Sequence, residues 1–124
     1  MATTQRLAGT ANITVDGVTY EVVGDFNWSS YTVTRETLKG MSTNFAGYKE
    51  LPNQCFIEFT GRDMANTPLS VYQGMTNSTV VAVLASGKVL TGQNMVVVEA
   101  VSVNSVEATM KLRFESATVT ESTV

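Results

Sequence analysis

The chain has 124 residues, 44% of them hydrophobic, and a formal net charge of −3. That is enough for one domain with one core and too apolar for a disordered chain, and no run approaches the roughly eighteen apolar residues of a membrane span. With eight lysines and arginines, no basic cluster and no histidine, it lacks the cationic stripe of a nucleic-acid binder, the commonest general base and the commonest metal ligand.

The opening "MATTQRLAGTAN" has no apolar h-region and predicts no signal peptide. "ANITV" and "VTYEVV" flank Asp16-Gly17, a pair suited to a type I′ turn, which predicts a hairpin over about 11–23. "DFNWSSYTVTRETL" is rich in aromatic and β-branched residues but alternates imperfectly, as a strand does at a bulge or a switch of sheet. "KGMSTNFAGYKELPNQ" then reads as a long loop, about 36–54, and compact domains rarely keep such a loop without a use for it. "CFIEFTGR" is another strand. In "NTPLSVYQGMTN", Thr67 as cap, Pro68 in the first helical position and the stripe Leu69, Val71, Tyr72, Met75 predict one short helix ended by Gly74.

"STVVAVLASGKVLTGQNMVVVEAVSV" predicts a strand, a turn at Ser86-Gly87, a strand, and a third strand continuing past Met95. "VEATMKLRFE", residues 106–115, alternates throughout: Val106, Ala108, Met110, Leu112 and Phe114 on one face, Glu107, Thr109, Lys111, Arg113 and Glu115 on the other. The apolar face needs a core; the polar one looks at water, at a neighbouring subunit or at something that passes by. "SATVTESTV" is a polar tail, exposed or lent to a neighbour. The expected class is mainly β: an antiparallel β-sandwich or barrel of about seven to eight strands with one short flanking α-helix, a single domain over the whole chain.

No residue set spells out chemistry. "SGKV" lacks the other positions of a phosphate loop, and the acids are scattered. Catalytic, cofactor and metal sites are therefore expected to be absent. Three glycosylation sequons, at Asn12, Asn27 and Asn77, read as incidental in a Thr- and Ser-rich chain. Cys55 has no partner for an internal disulfide and reads as a free thiol, with an intermolecular bridge or a reactive nucleophile as the alternative. Trp28 reads as a core anchor. Met41, Met64 and Met75 lie in or near loops, which favours subunit contacts over core. Arg35-Glu36 and Lys49-Glu50 flank the long loop as opposite charges, either solvated or paired between subunits.

"TVTRETLKG" followed by "GYKELP", then "TNSTVVAVLASGKVLTGQNMVVVEAVSV" and "VEATMKLRFES", and at the start "RLAGTANITVDGVTYEV", together resemble the tail tube proteins of Mu-like contractile-tailed bacteriophages over roughly residues 6–116. One position departs: where that family often has a large aromatic after the Asn-Met pair, this chain has Val96. The resemblance implies a fold shared with pyocin and type VI secretion tube proteins. It implies hexameric rings stacked into a hollow tube, with inner strands joined into one barrel around the lumen. The implied partners are further copies of the chain, a contractile sheath, a tape-measure protein, a baseplate initiator and a tail terminator, with DNA passing through transiently. The implied location is the virion tail, assembled in the host cytoplasm. A related single-ring part (terminator or tube initiator) and a non-catalytic ligand-binding β-barrel are the competing readings.

On that resemblance the contacts between subunits and rings fall on the long loop and its flanks: Arg35, Glu36, Lys39, Met41, Phe45, Tyr48, Lys49 and Glu50. The N-terminal "TTQRLAG" and the C-terminal tail are second candidates. The lumen-lining strands are expected to be 26–36, 55–61 and 106–115, presenting Thr32, Thr34, Glu58, Thr60, Glu107, Thr109 and Glu115. Six subunits at −3 give about −18 per ring, and each phosphate contact to a free cation would add affinity that ejection must break. Arg35, Lys39, Lys49, Lys111 and Arg113 are therefore expected to be mostly paired with acids or turned toward the sheath or a neighbour.

Overall fold

The computed structural model describes residues 9–123. The first hairpin forms as its turn residues dictate. β1 (Ala11–Val15) and β2 (Val18–Tyr20) pair antiparallel about Asp16 and Gly17, at φ 50° and 85°, the positive pair that a type I′ turn needs. Asp16 Oδ1 also accepts from Thr79 N–H at 2.9 Å. The hairpin stops at Tyr20, because β3 (Val22–Ser29) leaves to pair with β6 (Cys55–Arg62).

The long aromatic stretch does switch sheet. β3 carries bulges between Val22 and Asn27, with Asp25 at φ 36°. The chain then turns out at Ser30–Thr32 into β4 (Val33–Leu38), which pairs only with β5 (Gly47–Pro52). The segment expected as a loop over 36–54 is thus mostly the two strands of a hairpin, with a short tip at 39–46. Neither strand of it alternates apolar with polar, so its strand character was invisible to periodicity.

The rest is built from α1 (Leu69–Gln73), β7 (Ser78–Leu84), β8 (Val89–Val97), β9 (Val103–Asn104), β10 (Thr109–Ser116) and β11 (Val119–Ser122). The main sheet runs β2-β1-β7-β8-β10-β6-β3, with β11 also on β8 and β9 on β10. It folds into two layers because β8 serves both. Residues 89–95 pair with β7, and Val96 and Val97 pair with β10. The bend is the register shift opposite Ser78 and Val80, where Asn94 sits at φ 55°. The mainly β sandwich with one short helix is the expected class; among the described residues eleven short strands replace the seven or eight because long predicted runs break at these bends.

Ile13, Val15, Tyr20, Val80, Ala82 and Leu90 from one layer meet Ile57, Phe59, Met110, Leu112 and Phe114 from the other, all buried. Tyr20 bridges the layers, its ring 6.4 Å from Phe59 and 6.1 Å from Tyr72. Each such side chain contributes roughly 1.5–3 kcal/mol on burial. Met64 and Met75, expected at subunit contacts, pack against this core, as does Trp28. The helix begins one residue later than expected: Pro68 is the cap, without a side-chain bond, and the Thr67 hydroxyl lies 3.4 Å from Asn66 Oδ1 instead.

The strand expected over 106–115 begins only at Thr109. Asn104 Oδ1 accepts from the N–H groups of Val106 and Glu107, Ala108 takes φ 55°, and Val106 is 90% exposed. A local Asx turn outcompetes the ladder there. The tail is not free either: β11 pairs with β8 and buries Val119. "TTQRLAG" lies, except for Gly9, outside the described residues.

A Cβ at Gly92 would collide with the buried Met95 thioether at the β8 bend. Gly92→Ala should therefore cost about 1–3 kcal/mol. Asn94→Gly, which removes a side chain from a positive φ, should be neutral or stabilising. Urea midpoints of the two variants check this. The Tyr72 hydroxyl is buried with no hydrogen-bond partner among the described residues. Tyr72→Phe should raise stability by about 1 kcal/mol, since an unpaired buried hydroxyl costs more than its removal.

Candidate functional site: a projecting arm and a charged sheet face

The β4–β5 hairpin is an arm without a core. Its register sets Arg35 opposite Glu50 and Glu36 opposite Lys49. The ion pairs follow: Arg35 Nε to Glu50 at 3.7 Å and Lys49 Nζ to Glu36 at 3.8 Å. The charges that flanked the supposed loop are thus paired across the arm, within one chain. About half exposed, each is worth up to roughly 1 kcal/mol. The Arg35 guanidinium also lies 5.6 Å from the Tyr48 ring centre, and its Nη1 donates to the Tyr31 hydroxyl at 2.9 Å. Cross-strand pairs of this kind hold a two-stranded ribbon in register.

Apart from Val33 and Gly47, every residue of the two strands is exposed. Tyr31, Leu38, Phe45, Tyr48 and Leu51 are each 44% or more exposed, and Met41 at the tip is fully so. The tip is ordered by backbone bonds, Gly40 N–H to Thr43 O at 3.0 Å and Ala46 N–H to Leu38 O at 2.8 Å. All eight residues expected at contacts lie on this arm or its tip, and Tyr31, Leu38 and Leu51 add further exposed apolar side chains that the sequence reading did not single out. Their signal was apolar side chains among polar ones in a stretch with no core-facing period.

Among the described residues the arm is fastened at its base. Asn53 N–H donates to Thr32 O at 2.9 Å, and Asn53 Nδ2 donates to Tyr31 O at 3.1 Å. Cys55, a free and fully buried thiol, sits 3.7 Å from the carbonyl oxygens of Tyr31 and Ala117. A cleft of about 570 Å³ opens beside this base, lined by Thr32, Pro52, Asn53, Gln54, Val96, Glu115, Ser116 and Ala117.

The second feature is the outer face of β10, β6 and β3. β6 alternates without a fault, Cys55, Ile57, Phe59 and Gly61 inward and Phe56, Glu58, Thr60 and Arg62 outward. The register places Arg113 beside Glu58, Lys111 beside Thr60 and Asn27 on the far side of Glu58. Arg113 bonds Glu115 at 2.7 Å and Glu58 at 3.1 Å and lies 4.0 Å from the Phe56 ring centre; Lys111 reaches Glu58 at 3.5 Å. The bonds to Glu115 and then Glu58 outweigh burial and hold the Arg113 pKa above its usual value. Burial acts to raise Glu58, but Arg113 and Lys111 overcome it and hold its carboxyl below the usual range.

Of the residues expected on a channel-facing surface, Glu58, Thr60, Thr109 and Glu115 share this face. Glu107 does not: it lies in the turn before β10, where its carbonyl accepts from Arg62. Thr32 and Thr34 belong to the arm and its base. Of the five cations expected to be paired, Lys39 alone makes no ion pair among the described residues.

Because Glu58 is depressed in the fold, it adds stability above the unfolded carboxylate value, and that stability is lost as pH falls through the folded value. Between about pH 5 and pH 3, wild type should lose stability more steeply than Glu58→Gln, with the two curves parallel near neutrality. Denaturation midpoints against pH measure this.

A search of curated proteins returned no match. Among solved structures the chain is similar to the anti-feeding prophage cap determined by cryo-EM, described as an AFP tube terminating cap. The TM-score is 0.63 at 10% identity, over 100% of this chain and 96% of that one, a likeness of fold alone. The sequence profile of the family described as phage tail tube protein matches residues 4–121. With nearly its whole length matched, the chain belongs to the phage tail tube protein family.

Proposed function

We propose that this protein is the structural subunit of the tail tube of a Mu-like contractile-tailed bacteriophage. Homohexameric rings stack into a hollow tube inside a contractile sheath, and DNA passes through it into the host. The role is structural rather than catalytic. The partners are further copies of the chain, the sheath and tape-measure proteins, the baseplate initiator and the tail terminator. The place of action is the virion tail, assembled in the host cytoplasm.

The observation that carries this reading, beside the family, is the arm. A hairpin whose strand residues are all exposed apart from Val33 and Gly47, yet which is held in register by two ion pairs, is a preformed contact element. Its ordering cost is met before docking, which favours assembly. The face of β10, β6 and β3 supports a lumen role: Arg113 and Lys111 are both engaged by carboxylates, leaving little free cation to hold passing phosphates. A second reading, a single-ring tube terminator, is favoured by the fold likeness to a tube-terminating cap.

Negative-stain electron microscopy of the purified protein over a concentration series separates the readings. Tubes of uniform width are expected; discrete rings that never lengthen would favour the terminator, and monomers at every concentration would count against both. Replacing the tip 39–46 by Asn-Gly, a two-residue turn that joins Leu38 to its partner Gly47, should leave a folded subunit that forms no tubes. Tubes at normal yield from that variant would remove the arm from assembly.

A further inference from the structure

The arm joins the body through two short linkers, residues 30–32 and 53–54. We propose that it pivots on these linkers as a rigid lever within the single subunit, and that each swing uncovers the buried Cys55 thiol. This holds whether or not the chain builds tubes.

The lever is stiff and independent of the core. Six residue pairs, from Val33 opposite Pro52 to Leu38 opposite Gly47, keep one register, and two cross-strand ion pairs hold it. Pro52 has its φ fixed by its ring at the end of β5, so the bend falls to the residues beyond it. No described residue from 30 to 54 belongs to the core cluster or packs against it. Swinging the arm therefore leaves the sandwich intact, which makes the motion a local opening and not global unfolding.

The fulcrum is thin. Residues 30–32 and 53–54 lie outside the strands, and residues at the ends of elements are where a hinge absorbs its backbone rotation. Asn53 stands two residues before Cys55, the buried start of β6. Its N–H donates to Thr32 O at 2.9 Å and its Nδ2 to Tyr31 O at 3.1 Å, so it pins the first linker to the body. Beside the linkers lies the cleft of about 570 Å³, which gives them room to turn without displacing packed atoms.

Cys55 sits under this fulcrum. It is fully buried, with Sγ 3.7 Å from Tyr31 O on the first linker and 3.7 Å from Ala117 O in the turn between β10 and β11. A thiol has one proton to donate and donates it weakly. The Tyr31 carbonyl is thus held over the sulfur chiefly by Asn53 Nδ2. When that bond opens, the carbonyl lifts and solvent reaches a thiol that is otherwise inert through burial.

Thiol labelling reads the motion. Cys55 is the chain's one cysteine, so a maleimide dye reports on no other thiol. In dilute protein well below the unfolding midpoint, the labelling rate should be almost independent of urea, because a local opening exposes little surface. Asn53→Ala should raise that rate roughly tenfold or more, with the urea midpoint of the body near that of wild type. Lys49→Gln, which breaks an ion pair of the lever but no bond of the fulcrum, should leave the rate unchanged. Labelling that follows the full urea dependence of global unfolding, in wild type and Asn53→Ala alike, would overturn the inference. Lys49→Gln accelerating labelling as much as Asn53→Ala would also overturn it, since the arm would then fray and not pivot.

Discussion

The bend in β8 is the constraint on which the rest of this structure depends. One strand hydrogen-bonds β7 and β11 at its start and β10 at its end, so the two layers are parts of one folded sheet. The bend needs a close approach between Gly92 and Met95 and a left-handed backbone at Asn94. A β-bulge supplies both by placing one extra residue against its partner strand and turning the strand. Once β8 has turned, β10 and β6 lie across the first layer and their inward residues complete the core. The alternation of β6 and β10 then determines which side chains are left outside.

Two consequences follow at the surface. The outward residues of β6 and β10 are forced together in register, so Glu58, Arg113, Glu115 and Lys111 form one network without any being close in sequence. The start of β6 is also the point where the chain returns from the arm. Cys55 is inward and buried, so the arm must begin on the layer's rim, where Asn53 ties its two ends together. The arm's base and the turn between β10 and β11 meet there and leave the cleft between them.

The arm obeys a different logic from the body. The body is held by burial, and its ion pairs are secondary. The arm has no burial, and its register depends on hydrogen bonds, two half-exposed ion pairs and a cation over an aromatic ring. Isolated ribbons of this kind are marginal in water. The arm leaves Leu38, Phe45, Tyr48 and Leu51 exposed, so burial within the chain adds little to its stability.

Much of the body was legible in the residues. Asp16-Gly17 specified the first turn, because only residues tolerant of positive φ fit there, and the alternation in "CFIEFTGR" and from Thr109 onward specified the core face, because side chains alternate along a strand that carries no bulge. The place where "VEATMKLRFE" fails is instructive: Asn104 diverts the backbone into a turn, and periodicity does not register a side chain bonding two N–H groups nearby. The arm was hidden for the opposite reason, since a ribbon exposed on both faces has no period to read. By itself the sequence determined the class of fold, the first turn, the inward set of two strands and the lack of histidine chemistry, all properties of near neighbours along the chain. Only the tertiary structure decided that β8 serves two layers, that Arg113 finds Glu58 and that the cleft lies beside the base of the arm. These depend on residues brought together from distant parts of the chain, and no local pattern encodes which distant strand a given strand will meet.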